Sequence, residues 1–202
     1  MKDEDDIEEK EKESEEVVSI IPTLDDENIK SLALIGDITE DTSRELICAL
    51  LYLKDTEPKD EDAEKKPIQI YISTNGGNAD DMFAAYDIMK LTQKEVDIET
   101  IGIGKVMSAG VLLLAAGTKG QRKIGRHCRV MLHSIIGGHI GPMHTLYNEM
   151  DAVKSIQKEY VKALSEETNL SVQEINRFLK KKVNFYFDAE TAIKYGIADE
   201  IL

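Results

Sequence analysis

Apolar positions in this chain change period several times, and each change marks an element. Ser31 to Ile35 is a short apolar run that reads as a buried strand, and Ile68 to Ser73 and Ile98 to Gly104 repeat the pattern. Between them the period lengthens. Thr42-Ser43-Arg44-Glu45 reads as a capping box opening a helix with Leu46, Leu50 and Leu53 on one face. Asp55 to Lys66 reads as a charged loop. Met82, Tyr86 and Met89 predict a second helix from about Asp80 to Gln93. Ser108 to Ala116 is a third, short and almost wholly apolar, stopped by Gly117, and a strand closes at His133. Strands and helices alternating through short turns predict an α/β fold with a largely parallel sheet and its sites at the strand ends.

The C-terminal third has a different rhythm. Leu146, Met150, Val153, Ile156, Tyr160 and Leu164 step by three or four and predict one long amphipathic helix from about His144 to Thr168. It could pack on its own core or project to pair with a symmetry mate. Ser171-Val172-Gln173-Glu174 caps another helix to about Lys181, and Val183 to Phe187 reads as a late strand. Asp188 caps a final short helix that Gly196 ends. Near the other end, Val17 to Pro22 is a short apolar patch, either an edge strand or a segment that docks on another subunit.

Composition changes this picture at the N-terminus. Residues 1–16 hold ten acids against three lysines, half of the chain's net charge of −14. Such a stretch buries too little apolar area to offset its ordering, so residues 1–16 read as an acidic tail and 17–202 as the folded domain. An acidic chain without a basic stripe argues against nucleic acid. No apolar run is long enough for a membrane span, and no targeting segment is evident, so the cytoplasm is the expected compartment. Cys48, on a predicted apolar helix face, and Cys128, in a predicted strand, read as buried free thiols.

The chemistry-bearing residues gather at three strand ends. Ser108 follows a strand and opens a helix, the logic of a nucleophile elbow, although the motif is not Gly-x-Ser-x-Gly. Its plain alternative is an N-cap. His133 ends a strand that could lie beside it, and serine with histidine is the minimum for nucleophilic acyl transfer. Gly76-Gly77 ends the preceding strand, where N–H groups could receive an oxyanion. His127, His139 and His144 have no carboxylate or cysteine neighbours at metal-ligand spacing, so no metal is expected. No phosphate-binding Gly-x-x-x-x-Gly-Lys loop occurs, so the chain itself is not expected to hydrolyse ATP.

Taken in order, Gly76-Gly77, Met107-Ser108-Ala109-Gly110, Arg129-Val130-Met131-Leu132-His133, Gly137-Gly138 and Ala192 to Asp199 resemble the Clp protease proteolytic subunit family (ClpP), from about Lys30 to the C-terminus. The resemblance implies a ClpP/crotonase-like α/β fold with repeated β-α units, and a protruding handle helix near 144–168. It implies a serine endopeptidase built as two stacked seven-membered rings, a tetradecamer fed by an AAA+ unfoldase that uses ATP. Ser108 would be the nucleophile and His133 the general base and acid. The N–H groups of Gly77 and Ala109 would form the oxyanion hole. Gly76–Asn78 and Ile136–Gly138 would flank an extended polypeptide, pairing mainly with its backbone.

Departures from the family pattern sharpen the expectations. The triad aspartate position falls on Asn184, which can accept an imidazole N–H but brings no charge; Asp188 is the nearby carboxylate that could serve instead. Asn75 and Ser134-Ile135 replace the family's prolines and alter the walls of the peptide groove. Asn184 also admits a weakly active or structural subunit of a mixed ring. A crotonase-type acyl-CoA enzyme is the remaining alternative, with Ser108 dispensable.

Overall fold

The computed structural model describes residues 30–58, 65–138, 140–180 and 184–202. The N-terminal acidic stretch, the Val17–Pro22 patch and His139 lie outside them.

The chain builds one seven-stranded sheet with helices packed on it. In order the elements are β1 (Ser31–Ile35), α1 (Glu40–Asp55), β2 (Ile68–Thr74), α2 (Ala79–Thr92), β3 (Ile98–Met107), α3 (Ala109–Ala115), β4 (Arg122–Ile124) and β5 (Arg129–Leu132). They continue with α4 (Met143–Glu167), α5 (Val172–Lys180), β6 (Phe185–Phe187), α6 (Ala189–Lys194) and β7 (Glu200–Ile201). The sheet runs β1-β2-β3-β4-β7, with β5 pairing the far end of β3 and β6 pairing β5. All pairings are parallel except β5–β6. The α/β expectation therefore stands, and the sheet is largely parallel.

β2 and β3 are central, and Ile68, Ile70 and Ile72, on one face of β2, are fully buried together with Ile98 of β3. Helices α1, α2 and α3 cover them through Leu50, Met89 and Leu112–Leu114. α3 is buried along its whole length.

Several boundaries differ from the sequence reading. Helix α1 begins three residues earlier: Thr39 is its N-cap, and Thr39 and Thr42 form the reciprocal cap that was expected of Thr42 and Glu45. β3 does not stop at Gly104 but takes it at φ +64° and runs on to Met107, with the register against β2 shifting between Ile72 and Thr74. Strands β4 and β7 carried no apolar signature. Cys48 is exposed on α1, because the helix turns that position away from the Leu46–Leu50–Leu53 face; Cys128 is buried as expected.

A buried ion pair closes the C-terminal end onto the sheet. Arg122 donates to Asp199 through Nε at 2.8 Å and through Nη2, and through Nη1 to the carbonyls of Ala115, Glu167 and Gly196. All three guanidinium nitrogens thereby find acceptors, which a buried arginine needs.

Candidate active site

Ser108 joins the end of β3 to α3 in a conformation that asks for explanation. It is the one non-glycine residue with positive φ among the described residues, at φ 54° and ψ −122°. Such a backbone costs about 1–3 kcal/mol and persists where surrounding contacts hold it. Its N–H donates to the Met131 carbonyl at 2.8 Å, and its carbonyl accepts from Val111 N–H at 3.0 Å and from the Tyr160 hydroxyl at 2.9 Å. The side chain makes no cap hydrogen bond to α3. Ser108 thus sits at the N-cap position of α3 in a strained turn, with its hydroxyl not engaged in capping.

Close packing of small residues makes this turn possible. A Cβ on Gly76 would lie 2.6 Å from the Ser108 Cβ and 2.9 Å from the Met107 carbonyl oxygen. A Cβ on Gly110 would drive into the Thr74 methyl, and one on Gly77 into the Ile38 backbone. The Gly76-Gly77 pair ending β2 and the turn ending β3 therefore touch through glycine alone.

His133 arrives from the other side. Met107 pairs with Met131 in the parallel β3–β5 ladder, so the residues leaving these strands, Ser108 and His133, emerge at the same end of the sheet. Gly77, Asn78, Ser108, Ala109, His133 and Ile136 line one cleft of about 400 Å³. Met82 of α2 and Val153, Ile156 and Tyr160 of α4 complete its apolar wall. Among the described residues no hydrogen bond joins the Ser108 hydroxyl to His133; side chains of a catalytic pair are often loosely aligned until substrate is bound.

Asn184 belongs to the same end of the sheet. The antiparallel β5–β6 ladder pairs Val130 with Phe187, Met131 with Tyr186 and Leu132 with Phe185. One step further, that register sets Asn184 opposite His133. Asp188 is four residues away, about 13 Å along an extended strand, and its carboxylate accepts the Thr191 N–H at 2.8 Å as the cap of α6. Hydrogen bonds from Thr191, its side chain first and its N–H second, hold the Asp188 carboxyl below its ordinary value.

The remaining predicted contacts divide. The Asn78 side chain caps α2 by accepting from Asp80 and Asp81 N–H, and its backbone is engaged too, the N–H donating to Ile38 C=O at 2.9 Å and the carbonyl accepting from Met82 N–H at 3.1 Å. Gly76 lies against Ser108 and borders a second, acidic groove with Asp37, Glu40 and Asp81. Ile136 reaches the cleft, Gly137 packs against Val153 of α4, and Gly138 stands in open space. Tyr160 was read only as one apolar step of the long helix; nothing in its spacing distinguishes it from Ile156. Among the described residues no group of three potential metal ligands comes together, and no helix is long and apolar enough to cross a membrane.

A serine held on a strained strand–helix turn, with a histidine at the neighbouring strand end, defines the class as a serine-type peptidase on an α/β fold. The Clp protease family model matches residues 11–202, and the chain belongs to that family. It is 32% identical to ATP-dependent Clp protease proteolytic subunit 1 of Prochlorococcus marinus subsp. pastoris, over 94% of this chain and 90% of the relative. It is 34% identical to proteolytic subunit 2 of Chlamydia pneumoniae, over 85% and 80%, and 32% identical to subunit 2 of Bifidobacterium longum, over 83% and 77%. The crotonase-type alternative is not favoured by these relationships.

Proposed function

We propose that this chain is the proteolytic subunit of an ATP-dependent Clp-type protease and cleaves unfolded polypeptides through an acyl-enzyme on Ser108. His133 takes the Ser108 proton as the oxygen attacks the scissile carbonyl. The N–H groups of Gly77 and Ala109 receive the developing oxyanion, and His133 then protonates the leaving amine. Water, deprotonated by the same imidazole, hydrolyses the ester and restores Ser108. Asn184 accepts the second imidazole N–H, fixing the ring without adding charge.

The observation that carries this reading is the Ser108 turn itself: a strained backbone presenting a hydroxyl that caps nothing, in a cleft shared with His133. The direction of the Gly77 amide supports it. Gly76 C=O accepts the Ile38 N–H at 2.8 Å, so the Gly77 N–H, at the opposite side of the same peptide plane, faces away from Ile38.

In this proposal the substrate is an extended chain lying along Gly76–Asn78 and Ile136–Gly138, and two seven-membered rings enclose the sites. The first half of α4 supports the pairing of rings, because Met143, Leu146, Tyr147 and Met150 are exposed there while burial begins near Tyr160. A separate AAA+ ATPase unfolds substrates and consumes the ATP, the chain needs no cofactor or metal of its own, and it works in the cytoplasm.

Hydrolysis of a short fluorogenic peptide by the wild type beside Ser108→Ala tests the chemistry without the ATPase. Activity lost in an assembled mutant supports the proposal, and equal activity in both removes Ser108 as nucleophile. Asn184 favours one second reading, a structural subunit of a mixed ring, which inactivity of both proteins would select.

A further inference from the structure

We infer that Tyr160 is a positioning residue for the oxyanion-binding amide of Ala109, an inference that rests on the peptidase reading above. The Tyr160 hydroxyl donates to the Ser108 carbonyl oxygen at 2.9 Å. That carbonyl and the Ala109 N–H belong to one trans peptide unit, so they point in opposite directions within a plane. Fixing the oxygen fixes the direction of the N–H. Ala109 is the first residue of α3, where an N–H has no acceptor within its own helix and is free for a ligand.

The same bond polarises the unit. A hydrogen bond accepted by a carbonyl makes the amide N–H across the C–N bond a stronger donor, an effect enhanced away from water. Tyr160 is 4% exposed, and burial pushes its phenol well above the ordinary value, so it stays a neutral donor wherever a peptidase works.

Alternative anchors for this peptide are few. The Val111 N–H reaches the Ser108 carbonyl from within α3, and the serine side chain supplies no cap. Among the described residues Tyr160 is the one side chain that hydrogen-bonds Ser108. The two oxyanion donors are thus built alike, each aimed through the carbonyl of its own peptide unit. Gly77 is aimed by a backbone bond from Ile38, and Ala109 by a side chain from α4. Because α4 also carries the exposed apolar half, Tyr160 ties the geometry of the oxyanion hole to the helix offered to neighbouring subunits.

Tyr160→Phe in the full-length assembled protein removes the hydroxyl and keeps the ring. We expect kcat for a short fluorogenic peptide to fall about tenfold, less than the 10²–10³ that loss of an oxyanion donor itself costs, with KM held within about twofold. Affinity for a peptide boronic acid, whose adduct with Ser108 carries an oxygen at the oxyanion position, falls in the same proportion. Melting temperature and assembly stay as in the wild type. Unchanged kcat and boronate affinity overturn the inference, as does a rise in KM alone. A loss of activity that tracks disassembly, with boronate affinity per assembled site intact, overturns it too. If the wild type neither hydrolyses peptide nor binds boronate through Ser108, the peptidase reading falls and takes this inference with it. That result is distinct from an active wild type matched by its Tyr160 variant.

Discussion

Carried one step beyond its last pair, Leu132–Phe185, the antiparallel β5–β6 register brings Asn184 opposite His133. Directly opposed residues on antiparallel strands carry side chains on the same face, with Cβ atoms about 4.5–5.5 Å apart. In the proposed mechanism, a longer or differently ionised side chain at 184 acts on the imidazole. Asn184→Asp places a carboxylate where it stabilises the imidazolium formed during acylation, and turnover of a short peptide should rise by at least about tenfold, against the roughly 10⁴ lost when a triad aspartate becomes asparagine. Asp188→Ala should leave turnover within about twofold while lowering stability by about 1 kcal/mol through loss of the α6 cap. The opposite pattern in steady-state kinetics would transfer the orienting role to Asp188.

Gly76 has no room for a side chain. An added methyl meets the Ser108 Cβ at 2.6 Å, and the backbone at φ +102° is one that only glycine adopts without strain. Gly76→Ala must displace the Ser108 turn or the end of β2. We expect peptidase activity to fall by at least about 10²-fold, the effect of displacing a reacting atom by about 1 Å. Labelling of Ser108 by a fluorophosphonate should slow in parallel. Wild-type labelling rates would show that the turn adapts.

The site was legible in outline because its chemistry sits at strand ends, where the hydrophobic period breaks. Ser108, His133 and the Gly76-Gly77 pair each interrupt an apolar run, and the parallel β2–β3–β5 order brings those interruptions together. What sequence alone concealed is decided by partners distant along the chain. Thr39, not Thr42, caps α1, although Thr42 is the one with glutamate three residues on. β4 is three residues with a buried Arg122 at its start, a strand that exists because Asp199, 77 residues away, neutralises that charge. Cys48 lies two residues from buried Leu50 yet faces water, since two positions, at 3.6 residues per turn, go about half way round the helix. Tyr160 has the spacing of a core residue, and its hydroxyl matters only because Ser108 is 52 positions upstream.

Arg122 and Asp199 should set the acid limit of stability. Burial alone would raise the Asp199 carboxyl, but hydrogen bonds and charge from Arg122 outweigh it and hold the group below its ordinary 3.8. A carboxyl depressed in the folded state contributes stability that is complete above its unfolded value, near pH 4, and is lost as pH falls through the folded one. Asp199→Asn should therefore flatten the stability profile below about pH 4, measured by denaturant unfolding at a series of pH values. Arg122→Ala should be far worse, about 3–5 kcal/mol at neutral pH, because it strands a partly buried carboxylate and three carbonyls. A profile unaltered by Asp199→Asn would place the acid-sensitive group elsewhere.

The exposed half of α4 bears on assembly. Leu146 and Met150 lie one turn apart with Met143 and Tyr147 alongside, an apolar strip too continuous for a helix surrounded by water. Met150→Asp puts a charge in that strip without touching the cleft, whose α4 contribution begins at Val153. On the proposed two-ring assembly, sedimentation should show it divided into smaller rings, and peptide hydrolysis should fall with it. An unchanged sedimentation profile would mean the strip is covered by something other than a second ring.

The two thiols offer a direct check on how α1 and β5 sit in the sheet. Cys48 is exposed on the outer face of α1, whereas Cys128 is buried just before β5, where desolvation pushes its thiol up to about 11. Only the thiolate reacts with maleimide, and a buried group must also wait for the structure to open. Native protein should take up one label per subunit at neutral pH, removed by Cys48→Ser, with the second appearing only in denaturant. The experiment also separates local from global opening. If Cys128 reacts in the native state at a rate that peptide ligands suppress, then β5, and with it His133, moves in the free enzyme. The loose alignment of His133 with Ser108 would then reflect a strand that substrate brings into register.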